Sequence, residues 1–394
     1  MTTQKRPIYL DCHATTPVDP QVMAAMLPFF TEQFGNPASS AHAYGWEAEA
    51  AVQQAREILA AGINATPEEI VFTSGATEAN NLAIKGVAEA YFSRGRHMVT
   101  VQTEHSAVLD PCRYLETLGF EVTYLPVQPD GLINLTELER SLRADTVLVS
   151  VMAANNEIGV LQPLAEIGRR CRDRGILFHT DAAQAIGKIE LDMQAQCIDL
   201  MSVTAHKVYG PKGIGALYVR RRDPRVNLAA QLHGGGHERG RRSGTLYTPQ
   251  IVGLGEALRL AWANQGSEQS RLQDLRDRLW QSLQTLPGII LNGHTTQRLA
   301  NNLNVSIAEV DGQALILALR TVVALSSGSA CSSVSTAPSH VLKALGREDD
   351  LAHASLRFGI GRFTTAEEID QVAHHCHETI LALRQAGRPV TTVH

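Results

Sequence analysis

From about residue 66 the chain alternates between two hydrophobic rhythms. Short, almost wholly apolar, β-branched runs at 69–73, 97–101, 121–125, 146–151, 176–180 and 199–204 predict strands. Between them, segments 76–91, 107–118 and 164–174 carry apolar residues at helical spacing and predict amphipathic helices. This alternation predicts an α/β fold with a mainly parallel sheet flanked by helices. Strands with so few polar positions fit a sheet buried on both faces.

Two long helical patterns follow at 249–264 and 267–286, and Asn264-Gln-Gly266 is expected to break them. The remainder reads as a smaller α/β domain: strand 301–306, helix 312–319, a Ser/Gly-rich loop, strand 355–357 and helix 366–386. The expected organisation is a large domain over 15–263 and a small domain over 1–14 and 264–394. The short N-terminal apolar strand could pack on either.

A length of 394 residues suits two domains, and 44% hydrophobic with 19% charged residues fits an ordinary globular protein. The formal net charge is −5 with both signs interspersed, so no nucleic-acid partner is expected despite basic clusters at 220–222 and 239–242. No run approaches the ~18 apolar residues of a membrane span. The start, MTTQKRPIYLD, lacks the apolar region of an export signal, and a cytoplasmic location is expected. Six scattered cysteines without a CxxC fit free thiols better than a disulfide framework.

Three strand ends carry candidate chemistry. At Phe72-Thr-Ser-Gly-Ala-Thr-Glu-Ala-Asn80 a strand turns through Ser and Gly into a helix. The unpaired N–H groups and dipole of such a helix start favour a phosphate, although a capped turn without ligand reads the same. The run 176–180 leads straight into Asp181, at the usual ligand edge of an open α/β sheet. There a carboxylate can keep a pyridine nitrogen protonated; the plainer reading is a helix N-cap. The run 199–204 ends in Thr204, His206 and Lys207 before a Gly/Pro turn. A lysine leaving an apolar strand loses charge by desolvation and can form an imine; a solvated loop lysine is the plainer reading. A phosphate cradle, an acid for a ring nitrogen and an imine-forming lysine together match the needs of pyridoxal phosphate.

With these pieces the chain resembles the aminotransferase class-V, fold-type I enzymes, and among them the cysteine desulfurases of the NifS/IscS group. The resemblance rests on Tyr9-Leu-Asp, Ala14-Thr-Thr-Pro, Phe34-Gly-Asn-Pro, Thr73-Ser-Gly-Ala-Thr-Glu, Thr103-Glu-His, Asn155-Asn-Glu-Ile-Gly, Asp181-Ala-Ala-Gln and His206-Lys. It continues through Gly234-Gly-Gly-His-Glu-Arg-Gly, Arg242-Ser-Gly-Thr, Ser326-Ser-Gly-Ser-Ala-Cys and Arg357-Phe-Gly-Ile-Gly-Arg-Phe-Thr-Thr. It implies that Lys207 forms the imine with the cofactor. Asp181 would pair with the ring nitrogen, Gln184 with the phenolic oxygen, and His105 would stack on the ring and join Lys207 in moving protons as a catalytic residue. Ala76, Thr77, Thr204 and His206 would hold the phosphate. Thr245 would reach the phosphate of a neighbouring subunit, which implies a homodimer with shared sites. Asn156 and Arg357 would bind the substrate carboxylate.

Cys331 sits among small residues, with no apolar periodicity to place it in a core, and is expected on a movable loop. By resemblance its thiolate takes sulfur from L-cysteine as a persulfide, and alanine departs. The sulfur would pass to an acceptor protein such as an iron–sulfur scaffold, an apo-ferredoxin or a thiolation protein. The alternatives within the same fold are a selenocysteine lyase and a cystine C–S lyase; the latter would not need Cys331. Cys12-His13 departs from the commoner residues at that motif, and Cys12 is expected as a buried or lining thiol. The tail after 386 is shorter than that of the housekeeping group, which puts scaffold docking there in doubt. His374-His-Cys-His377 is not expected to bind metal, because neighbouring helical residues point in different directions.

Overall fold

The computed structural model describes residues 6–327 and 337–386. The strands are β1 (Ile8–Tyr9), β2 (Ile70–Thr73), β3 (His97–Val101), β4 (Glu121–Leu125), β5 (Thr146–Ser150), β6 (Leu177–Asp181), β7 (Leu200–Thr204), β8 (Gly215–Val219), β9 (Ile289–Leu291), β10 (Asn302–Ile307), β11 (Val323–Ala324) and β12 (Ser355–Gly359). The helices are α1 (Pro20–Met26), α2 (Pro28–Thr31), α3 (Ala43–Gly62), α4 (Ala76–Ala90), α5 (Ser106–Glu116), α6 (Leu135–Ser141), α7 (Leu164–Asp173), α8 (Thr248–Leu283), α9 (Gly312–Leu319), α10 (His340–Ala344), α11 (Asp349–His353) and α12 (Ala366–Ala386).

The main sheet has seven strands in the order β2-β8-β7-β6-β5-β3-β4. All neighbours are parallel except β8, which runs antiparallel to both β2 and β7. Apart from edge strand β4, which is largely part-exposed, the apolar runs are buried on both faces because alternate residues feed two cores. Phe72, Val99, Phe178 and Met201 pack into one, with α3, α7 and the first half of α8. Val71, Met98, Leu177 and Leu200 pack into the other, with α4 and α5.

The small sheet, β12-β10-β9, is antiparallel. Its core takes Leu10 from the N-terminus and Leu272, Leu275, Leu279 and Leu283 from α8. Strand β1 pairs with β11, so the N-terminal strand packs beside the small sheet.

The expected break at Asn264–Gly266 does not occur. Helix α8 runs unbroken for 36 residues through it. One interior glycine costs only ~1 kcal/mol. The helix recovers more by burying Leu254 and Leu258 in the large core and Leu272 onward in the small one. The change of apolar face that mimics two helices is one helix passing from one core to the other.

Edge strand β2 is sealed by a buried ion pair. Glu238 Oε1 and Oε2 receive Arg56 Nη2 and Nη1 at 2.7 and 2.9 Å, and Oε2 also receives the Phe72 amide at 2.7 Å. A carboxylate thus satisfies a strand N–H that has no neighbouring strand.

Candidate active site

The C-terminal ends of β2, β3, β5, β6 and β7 converge on one cavity of about 550 Å³. It is lined by Ala76, Thr77, His105, Asn156, Asp181, Gln184, Thr204, His206 and Lys207, together with His13, Ala14, Thr15 and Ser74. Residues chosen from separate strand ends therefore meet at one place.

Helix α4 opens onto the cavity without a side-chain cap. Its first interior bond, Ala79 N–H to Gly75 O, leaves the amides of Ala76 and Thr77 facing outward. The cradle is kept narrow at β8. A Cβ on Gly215 would lie 2.3 Å from Val203 O and 2.8 Å from Gly75 Cα, so only glycine lets this strand pass behind the turn.

Asp181 is buried at the end of β6. The Asn80 amide donates to its Oδ2 at 2.6 Å and the Ala183 N–H to its Oδ1 at 2.8 Å. The N-cap-like bond to Ala183 is thus present, but the carboxylate also lines the cavity. Lys207 closes a short 3-10 turn after β7. Its Nζ donates to the carbonyls of His13 and Ala14, the latter at 2.8 Å. Gln184 Nε2 donates to His13 O at 2.8 Å, and Gln184 Oε1 faces His13 Nδ1 at 3.1 Å and Lys188 Nζ at 3.3 Å.

Two histidines of the cavity are held neutral. Burial first, then the charges of Lys188 and Arg357, push His13 well below the usual histidine range. Burial, then Lys207 and Lys212, bring His206 down to about 4. His105 is the N-cap of α5: the Ala107 N–H donates to its Nδ1 at 3.0 Å, which leaves a neutral ring's proton on Nε2. Beside it, Glu104 is buried, and burial followed by the Asp181 charge raises its carboxyl well above the normal range.

Two expected site residues are not among those lining this cavity. Arg357 is 2% exposed. It pairs with Asp11 through Nη2 at 2.9 Å and donates from Nη1 to Asn156 O at 3.1 Å. It lies directly behind Asn156, already in an ion pair. Thr245 lies on an exposed stretch before α8. Cys331 lies outside the described residues. The described cysteines do not line the cavity. Burial raises Cys12, Cys112 and Cys376 to about 12 and pushes Cys171 higher, so these stay protonated thiols.

The Aminotransferase class-V family profile matches residues 8–372. The chain belongs to the aminotransferase class-V family. Among its relatives, Cysteine desulfurase IscS of Dechloromonas aromatica is 58% identical over 384 residues, 97% of this chain and 94% of that protein. A solved NifS-like protein superposes with a TM-score of 0.88 at 37% identity, covering 96% of this chain and all of the other. A second solved structure, SspA in complex with cysteine, is 38% identical with a TM-score of 0.80 over 91% of this chain and all of the other. The resemblance read from the motifs thus extends along the whole length of a class-V chain.

Sequence reading missed Asn80, Asp11 and His13 as site residues. Asn80 stands inside the quoted phosphate motif, where helical spacing from Thr77 could have flagged it. Asp11 stands inside Tyr9-Leu-Asp, but its partner Arg357 is 346 residues away. His13 was noticed only as an unusual residue.

Proposed function

We propose that this chain is a pyridoxal-phosphate-dependent cysteine desulfurase that converts L-cysteine and the Cys331 thiol to L-alanine and a Cys331 persulfide. The single observation that carries the reading is the meeting of Lys207, Asp181 and the uncapped start of α4 in one cavity. The opposing demands of the cofactor are answered there: N–H donors for its phosphate at Ala76 and Thr77, hydroxyl and imidazole groups at Thr204 and His206, and a carboxylate for its ring nitrogen at Asp181.

Bound pyridoxal phosphate supplies an electron sink for negative charge at the substrate Cα. Lys207 would hold the cofactor through its amine and would move the proton at the substrate Cα. Asp181 holds the ring nitrogen protonated and Asn80 holds Asp181 in place. His105 would bear on the ring face and Gln184 would serve the phenolic oxygen; both line the cavity. Asn156 and Arg357 receive the substrate carboxylate. The Cys331 thiolate attacks the substrate sulfur; the C–S electron pair stays with the carbon skeleton, which takes up a proton and leaves as alanine. An acceptor protein then takes the sulfur.

The reading includes a cytoplasmic homodimer. No helix among the described residues is long and apolar enough to cross a membrane. Exposed aromatic pairs supply apolar surface for a second copy: Phe30 edge-on to Tyr247 at 6.2 Å and Phe34 against Tyr44 at 5.3 Å. Thr245 lies two positions from Tyr247 and is exposed like it.

Mass spectrometry after incubation with L-cysteine tests the function. The expected result is one extra sulfur atom mapped to Cys331 and one alanine formed per persulfide. Pyruvate and free sulfide without protein-bound sulfur would overturn it in favour of a β-eliminating lyase.

A further inference from the structure

Asp11 joins three distant parts of the chain. It follows β1 and bridges to Gly359, at the end of β12. Its carboxylate receives Arg357 Nη2 at 2.9 Å, and both of its oxygens lie 2.9 Å from Ser326 Oγ. Ser326 and Arg357 also pair through the backbone, with the Arg357 N–H donating to Ser326 O at 2.8 Å.

The guanidinium is held but not saturated. Nη1 reaches the carbonyl of Asn156, whose residue lines the cavity. Nε is buried and has no hydrogen-bond partner among the described residues. An arginine carries five N–H donors, and a carboxylate has the geometry to receive two of them side by side. Burial of an arginine without an anion is costly, so Asp11 neutralises the group while substrate is absent. Asp11 therefore fixes Nη2 and the Asn156 carbonyl takes Nη1, while Nε keeps an unanswered N–H among the described residues.

We propose that Asp11 is a positioning residue for substrate recognition: it presets the Arg357 fork for the α-carboxylate of an amino acid, and Ser326 holds Asp11 in turn. This rests on the desulfurase reading of the cavity. The effect of Asp11 passes through Arg357, with which it is paired.

The test uses holoenzyme of the Cys331→Ala variant, so that binding is read from the cofactor spectrum without turnover. L-Cysteine is compared with cysteamine, which has the same amine and thiol but no carboxylate. Asp11→Ala and Asp11→Asn are expected to raise the half-saturating L-cysteine concentration by about tenfold or more, the effect of losing a charge-assisted bond. Cysteamine binding should stay within about twofold. Ser326→Ala should shift L-cysteine in the same direction by less. Equal weakening of both ligands would overturn the proposal, since it would mark a general structural role. Unchanged or tighter L-cysteine binding in the soluble Asp11→Asn protein would overturn it too. If L-cysteine gives no spectral response even with Asp11 intact, the enzyme reading itself fails and the proposal falls with it.

Discussion

Asn80 Nδ2 lies 2.6 Å from Asp181 Oδ2, tying α4, which opens onto the cavity, to the end of β6, which presents the carboxylate. Both residues are buried, and Ala183 N–H is the other donor on this carboxylate. Hydrogen bonds to charged groups contribute about 1.5–3 kcal/mol. Asn80→Ala is therefore expected to release cofactor about tenfold or more readily, measured by absorbance after dialysis. Asp181→Asn should keep the shape and lose the charge. Sulfide production should fall by about 100-fold or more, in the range of a lost acid–base function.

Lys207 Nζ is anchored on the backbone carbonyls of His13 and Ala14. Lys207→Ala should abolish the visible band of the cofactor imine and all sulfide formation. Reconstituted protein with an unchanged spectrum would remove Lys207 from the site.

Cys331→Ala should bind cofactor and respond spectrally to L-cysteine, yet produce no sulfide with a reductant. The described cysteines offer no substitute at this cavity, since none lines it. Full turnover in the variant would favour a cystine-type lyase. Because the thiolate is the reactive form, wild-type activity should decline as pH falls.

His179 predicts acid sensitivity of the fold. Its ring lies between Ser150 Oγ at 2.8 Å and Ser202 Oγ at 3.0 Å, fully buried. Burial pushes it down from 6.5 to about 3. Between those values the unfolded chain binds a proton that the folded chain refuses. The stabilisation is thus complete above the unfolded value and lost as pH falls through it, by about 1.4 kcal/mol per pH unit. His206, at about 4, acts in the same direction. Urea midpoints of wild type and His179→Gln, compared at pH 7.5 and 5, should show the smaller drop in the variant. Equal drops would exclude His179 as the source.

The aromatic pairs predict the assembly. Phe34→Glu with Tyr247→Glu should convert a dimer to a monomer in light scattering and lower activity, because Thr245 could no longer reach a second site. A fully active double-variant monomer would remove both the interface and the shared-site reading.

Much of this protein was legible in its residue order. Apolar runs set the strands within a residue or two, since a sheet covered on both faces tolerates few polar positions. The meeting of the site candidates was legible because Asp181, Lys207 and the start of α4 each follow closely on an apolar run. A parallel sheet brings such strand ends to one edge.

Other features were not legible locally. Strand β8 starts in a Gly-rich turn and runs antiparallel, a direction that its own five residues do not encode. Helix α8 crosses Gly266 because two cores, not local propensity, decide its length. Arg357 reads from its motif as a carboxylate ligand; only folding shows it already paired with Asp11 and set behind Asn156. Residue order alone determined which groups are present and the edge at which they emerge. Tertiary structure decided which of them share a carboxylate, because those partners lie hundreds of residues apart and meet only when the N-terminal segment docks beside β12.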